Sequence, residues 1–200
     1  MRLLFVFLIA ISTISCTQNK QTLLGETKFQ KKMNADFKDV TTSPLKEEDL
    51  KHFRGLDFFK FDSSFVVEAK LKHTPDEAFF DMKTTTDRVS EERVYGVLSF
   101  ILKDESFELK VYQGKTLMET EGYEDYLFLP FLDETNGEHT YGGGRYIDLR
   151  IPKDDTVILD FNTAYNPLCA YNDKYSCPIV PRQNYLNTKV KAGVKAFKKH

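Results

Sequence analysis

From Gly55 onward the chain changes period, and that change constrains the fold more than any other feature. Phe65-Val66-Val67-Glu68-Ala69-Lys70-Leu71 alternates, as do Val94 to Leu102 and Ser106 to Tyr112. Period-two alternation marks a strand with one buried face. Lys103-Asp104-Glu105 separates the last two runs and predicts a tight hairpin. Tyr126 to Phe131 is apolar throughout, and Pro130 within it implies an edge or a bulge, because proline cannot donate to a ladder. Tyr146 to Ile151 alternates cleanly, and Val157 to Asn162 follows after Pro152-Lys153-Asp154-Asp155. Strands spaced by short turns predict a mainly β fold, an antiparallel barrel or sandwich.

One or two helices are expected before it. Residues 23–40 place Leu23, Leu24, Phe29, Met33 and Phe37 on one helical face. Ser43 is positioned to cap a second helix with Pro44 at its first position, running to about Phe53 and ended by Gly55.

The N-terminus reads as an export signal. Met1-Arg2 is basic, Leu3 to Ile11 is uninterruptedly apolar, and Ser12 to Ser15 leads to Cys16. The apolar run is too short to span a bilayer, which takes about 20 residues. A cysteine after a small residue at such a boundary is similar to the lipoprotein processing box, in which the thiol accepts a lipid. Residues 1–15 are therefore expected to be a lipoprotein signal peptide, with Cys16 lipidated and 16–27 a tether. Residues 28–193 would form one β-rich domain and 194–200 a basic tail, with Lys189 to His200 exposed. Membrane attachment through a lipid anchor places the chain in a bacterial cell envelope. Thr17, rather than Asp, after Cys16 favours the outer membrane by analogy with lipoprotein sorting. A net charge of −2 is too balanced for nucleic acid or an electrostatic membrane patch. With no Trp, 17 Phe and 10 Tyr must supply the bulk of the core.

Four of the ten glycines fall between Gly137 and Gly144, bordered by Asp133, Glu134, Glu138, His139 and Arg145. Two readings are open. Thr140, Tyr141, Gly142, Gly143, Gly144 and Arg145 could cradle a small polar or anionic ligand on backbone N–H groups and the guanidinium. Alternatively, the glycines make a tight strand connection and Arg145 pairs with Asp133 or Asp148. Asp160 and Asn162 share one strand face, where they could bind a ligand or satisfy the following loop. In the ligand reading, Asn162 contacts the ligand while Asp133 and Asp160 support the loops. His139, with Asp133 or Asp160, is the one candidate general base. No Gly-x-Ser-x-Gly elbow or His-Glu-x-x-His helix is present. Cys169 and Cys177, an even pair in an exported chain, are expected to form a disulfide; free thiols are the alternative. A metal site would need further ligands that the neighbouring sequence lacks, so none is assigned.

Several motifs together resemble the bacterial and archaeal domain-of-unknown-function family 1684. They are Ser43-Pro44-Leu45, Phe53-Arg54-Gly55-Leu56-Asp57-Phe58-Phe59, Asp133 to Gly137, Thr140 to Tyr146, Leu159 to Pro167, Cys169-Ala170-Tyr171 and Tyr175 to Pro178. The resemblance runs from about Lys28 to Gly193. His139 stands where the family pattern often carries an acid. The family has no established activity, so the resemblance implies a fold and no reaction or cofactor. The leading expectation is a lipid-anchored envelope protein binding a small polar or anionic ligand, or a partner, near Gly142 to Arg145. The alternatives are a hydrolase or cofactor-dependent enzyme using the same cleft, and a purely structural envelope protein.

Overall fold

The computed structural model describes residues 25–197. The signal segment, Cys16, most of the tether, Leu23, Leu24 and residues 198–200 lie outside the described residues.

Helix α1 spans Lys28–Lys38 and starts with a capping box. Gln30 N donates to Thr27 Oγ1 at 3.2 Å, and Thr27 N donates to Gln30 Oε1 at 3.3 Å. Its apolar face, Phe29, Met33 and Phe37, packs with Leu45, Leu56, Phe58, Tyr171 and Val194. Helix α2, Glu47–His52, is shorter than its expected span. Ser43 does not cap it, because Lys46 holds that position; the Ser43 oxygen accepts from Leu45 N at 3.3 Å, and its hydroxyl donates to the Phe37 carbonyl at 2.7 Å. That carbonyl belongs to the last turn of α1, where acceptors lack partners within the helix. Ser43 therefore closes the first helix instead of opening the second.

The rest is mainly antiparallel β, a sheet curled into a half-barrel. Its strands are β1 Val66–His73, β2 Phe80–Lys83, β3 Val89–Leu102, β4 Glu105–Gly114, β5 Tyr126–Asp133, β6 Arg145–Arg150, β7 Thr156–Asp160 and β8 Tyr185–Leu186. The order is β6-β5-β4-β3-β1-β7, with β2 added to β3 and β8 to β5. Among the described strands only β8 runs parallel to its neighbour. A short helix α3, Lys115–Met118, leaves the end of β4. Lys103 and Asp104 take φ of 52° and 65°, so β3 and β4 join through a two-residue turn of the twist hairpins favour. The short strands β2 and β8 carry too little alternation to be legible in sequence.

The buried register changes face along β3. Glu92 and Val94 lie on one face of the sheet; a bulge at Tyr95 intervenes, and Leu98, Phe100 and Leu102 point to the other. That second face carries the main core, with Leu109, Val111, Leu127, Leu129, Phe131, Ile147 and Leu159. Pro130 sits inside the sheet rather than at its edge, between β4 and β6. Asn184 makes this possible: its Nδ2 donates to the carbonyls of Pro130 and Lys110 at 2.7 Å each, while Lys110 N donates to its Oδ1 at 3.0 Å. The side-chain amide supplies the cross-strand bonds that proline interrupts.

Residues 189–197 are not a frayed tail. Val190 and Ala192 are fully buried and Val194 nearly so. Lys195 N donates to Asp57 O and Ala196 N to His139 O, and the Phe197 ring packs on Tyr171. Alternate small apolar residues between lysines let the segment bury one side and leave its charges in water.

Candidate functional site

The glycine loop is built as a connection. Arg145 is fully buried; one guanidinium nitrogen donates to Asp133 Oδ2 at 2.7 Å and to Val190 O at 2.8 Å, and another donates to Ala192 O. Asp133 Oδ1 also accepts from Thr135 N at 2.8 Å and Val190 N at 3.2 Å. Thr140 is buried against Thr135, their hydroxyls 2.8 Å apart, and accepts from Asn136 Nδ2 at 2.9 Å. Gly144 has φ +92°, and a Cβ there would stand 2.7 Å from Phe131 O. Only glycine fits such a position. Gly142 and Gly143 are exposed at the tip.

The expectation that Arg145, Thr140 and Asn162 contact a ligand is therefore corrected: each is buried and bonded to the protein, with only the Arg145 Nε left without a partner among the described residues. Asn162 Nδ2 donates to Asp62 O at 2.9 Å and to Asp160 Oδ1 at 2.8 Å, and its Oδ1 accepts from Asp62 N at 3.1 Å. Asp133 and Asp160 hold their loops. His139 is part-exposed, with Nε2 3.2 Å from Glu138 Oε1 rather than beside Asp133 or Asp160. The Tyr141 ring lies against Gly143 of the loop, and its hydroxyl stands 3.9 Å from Cys169 Sγ. Cys169 and Cys177, expected to be bridged, are both free thiols. Among the described residues no cluster of three or more His, Cys, Asp or Glu could hold a metal. No described helix is long and apolar enough to cross a membrane.

The residues just beyond these do meet around a hollow of about 780 Å³. Its volume lies within the usual range for small-molecule sites. Phe29, Met33, Lys32 and Asp36 of α1 form one wall, and Tyr126 and Phe128 of β5 with Tyr146 and Asp148 of β6 form another. Ser90 and Glu92 come from β3, Leu117 from α3, and Tyr165, Pro167, Leu168, Cys177 and Pro178 from the loops after β7. Period two explains the sheet's contribution: Tyr126, Phe128, Tyr146 and Asp148 all lie on the face opposite the main core. Tyr165 is brought in by a two-way backbone bridge with Tyr146, at 2.9 and 3.0 Å.

The polar groups of the hollow fall into two sets. Tyr126 and Tyr165 hydroxyls both donate to Asp148 Oδ1, at 2.7 and 2.5 Å, and the Tyr146 hydroxyl donates to Pro178 O. Burial is the first reason why the Tyr126, Tyr146 and Tyr165 phenols titrate well above their ordinary value, so all three stay protonated donors. The other set centres on Glu92, which is only 5% exposed. Ser90 Oγ donates to its Oε1 at 2.8 Å, while Oε2 has no partner among the described residues. Burial raises the Glu92 carboxyl above its ordinary value, against the lowering effects of Ser90 and Arg88. A Cβ on Gly114 would approach Glu92 Oε1 to 3.0 Å, so the neighbouring strand leaves room for this carboxyl.

None of the residues from Asp133 to Arg145 lines this hollow, whereas Asp148, the alternative partner for Arg145, does. The clean alternation in the sequence starts at Val94, whereas β3 starts at Val89 and carries the Glu92 carboxyl onto a buried face. Tyr146 and Tyr165 lay inside recognised motifs without an assigned role.

The chain matches the family described as "Protein of unknown function (DUF1684)" over residues 51–195. It is similar to an uncharacterised protein from gene locus rrnAC0354 of Haloarcula marismortui, known from a solution NMR structure. The two are 34% identical over 86% of this chain and 92% of the other, with a TM-score of 0.67. Among curated proteins nothing matches. The chain belongs to the DUF1684 family.

Proposed function

We propose that this DUF1684 protein binds a small molecule with an apolar, flat body and an N–H donor or cationic group, seated between α1 and the tyrosine-bearing face of the sheet. The observation that carries the reading is Glu92, a buried carboxyl with one oxygen unpartnered, on the wall of an otherwise aromatic hollow. An unpaired buried polar group is costly, and a ligand donor would offset that cost. Glu92 and Asp148 disfavour an anion, in contrast to the cradle expected at Arg145; Asp36 is paired with Lys32. The tyrosine rings supply the contact area, and the Tyr126–Asp148–Tyr165 clasp fixes their orientation.

A thermal-shift comparison of aromatic amines with the corresponding carboxylic acids tests this. Amines should raise the melting temperature of the wild type, and Glu92→Gln should weaken the best of them about tenfold or more. Equal stabilisation by the acids, or an unchanged affinity in Glu92→Gln, rules the reading out.

The sequence from Met1 to Cys16 further supports a lipid anchor on Cys16, holding the domain at the envelope, at the outer membrane by the sorting analogy of Thr17. Cys16→Ser should move the protein from the membrane to the soluble fraction. Retention in the membrane would remove that support.

A further inference from the structure

Two thiols lie side by side at the rim of the hollow, and their surroundings are unequal. Cys169 is part-exposed on a single 3-10 turn, Leu168–Ala170; Cys177 is buried and lines the hollow. The Cys169 amide donates to Cys177 Sγ at 3.2 Å, and Cys177 N donates to Thr85 Oγ1 at 3.1 Å, so both backbones are fixed. The Tyr141 hydroxyl stands 3.9 Å from Cys169 Sγ. We infer that Cys169 and Cys177 form a thiol–disulfide exchange site for low-molecular-weight disulfides, with Cys169 as the attacking sulfur and Cys177 as the resolving one.

The chemistry follows from the asymmetry. The hydrogen bond from the Cys177 thiol is the first cause holding Cys169 down to about 6, with Tyr141 and Thr85 adding to it against burial. A thiolate is the nucleophile in exchange. Cys169 attacks one sulfur of a disulfide RSSR; that S–S bond breaks, one RS⁻ leaves and takes a proton from water. The product is a mixed disulfide on Cys169. Cys177 is held high first by sharing its proton with the Cys169 sulfur. Once Cys169 is capped its negative charge is gone, and the largest restraint on Cys177 goes with it, leaving that of burial. Cys177 then loses its proton to solvent and attacks Cys169 Sγ, and the second RS⁻ departs and is protonated. The protein loses two electrons and two protons overall, and RSSR becomes two RSH. Excess RSH drives the reverse sequence. The site does not depend on what the hollow holds, although Cys177 and Pro178 place it on the same wall.

Oxidised glutathione, with acid quenching, intact mass and peptide mapping to separate Cys16, tests the assignment. The wild type should lose two hydrogens, gain no adduct and be restored by excess reduced glutathione without denaturant. Cys177→Ser should stop at one glutathione on Cys169, and Cys169→Ser should react at Cys177 at least tenfold more slowly. At pH 6 Cys169 should react about tenfold faster than free cysteine, the thiolate fraction outweighing its lower intrinsic nucleophilicity. Circular dichroism shows whether each serine variant folds; if either does not, the earliest wild-type adduct must still map to Cys169. Equal reaction of both sulfurs, a mixed disulfide that never resolves, or a bridge that excess thiol cannot reopen in the native protein overturns the inference.

Discussion

At the residue scale, buried charge decides most of what is distinctive here. Arg145 and Asp133 are both fully buried at the side chain and 2.7 Å apart. Removing one member of such a pair leaves the other uncompensated, at about 3–5 kcal/mol. Arg145→Leu should lose stability of that order in urea unfolding, and Asp133→Leu added to it should restore part of the loss. Glu92 acts through pH. Burial raises it above 4.5, so the folded chain keeps a proton that the unfolded chain has already released. Stability is therefore whole below about pH 4.5 and declines as pH rises through the folded-state value. Glu92→Gln should melt higher than the wild type at pH 8 and close to it at pH 4. Pairing of Arg145 with Asp133 was one of two readings available in the sequence. The choice between them needed depth: no periodicity distinguishes a guanidinium facing water from one sealed under Val190 and Ala192.

At the scale of elements, legibility tracked local chemistry. The β3–β4 hairpin could be read because alternation and a turn agree on either side of Lys103-Asp104. The start of α2 could not, because the Ser43 oxygen accepts from Leu45 N just as a cap would, while the helix begins only at Glu47 with Lys46 before it. Nor could the segment of residues 189–197, whose lysines mask the buried side chains of Val190, Ala192 and Val194 between them. Its contribution is measurable: a chain ending at Thr188 loses both backbone acceptors of Arg145 as well as Val190, each buried valine alone contributing about 1.5–3 kcal/mol. That truncation should show no cooperative melting transition in calorimetry. Gly144→Ala, forced against the Phe131 carbonyl at a left-handed φ, should cost about 1–3 kcal/mol in the same measurement.

On the scale of the whole molecule, β6 and β7 are consecutive in the chain yet lie at opposite ends of the strand order. Among the described residues no ladder joins them, so the half-barrel has a seam, beside which a second hollow of about 460 Å³ opens along Tyr123, Arg150 and Ile158. Opening free energy should therefore be uneven. Amide exchange should be slowest in β3, β4 and β5, which carry the main core on one face, and faster in β7 and residues 115–125. The antiparallel class followed from turn spacing alone. The seam did not, because which strands remain unpaired depends on curl, a property of the assembled sheet.

The tyrosine clasp has an optical corollary. A chain with no tryptophan emits only through its ten tyrosines, and three of those border the larger hollow. Two of the three donate a hydrogen bond to the Asp148 carboxylate, an arrangement that dims tyrosine emission. A guest that drew Asp148 toward itself would release both rings and brighten the protein, whereas one absorbing in the near ultraviolet would drain their light by energy transfer. The native polypeptide thus carries its own lamp for occupancy, with no dye attached.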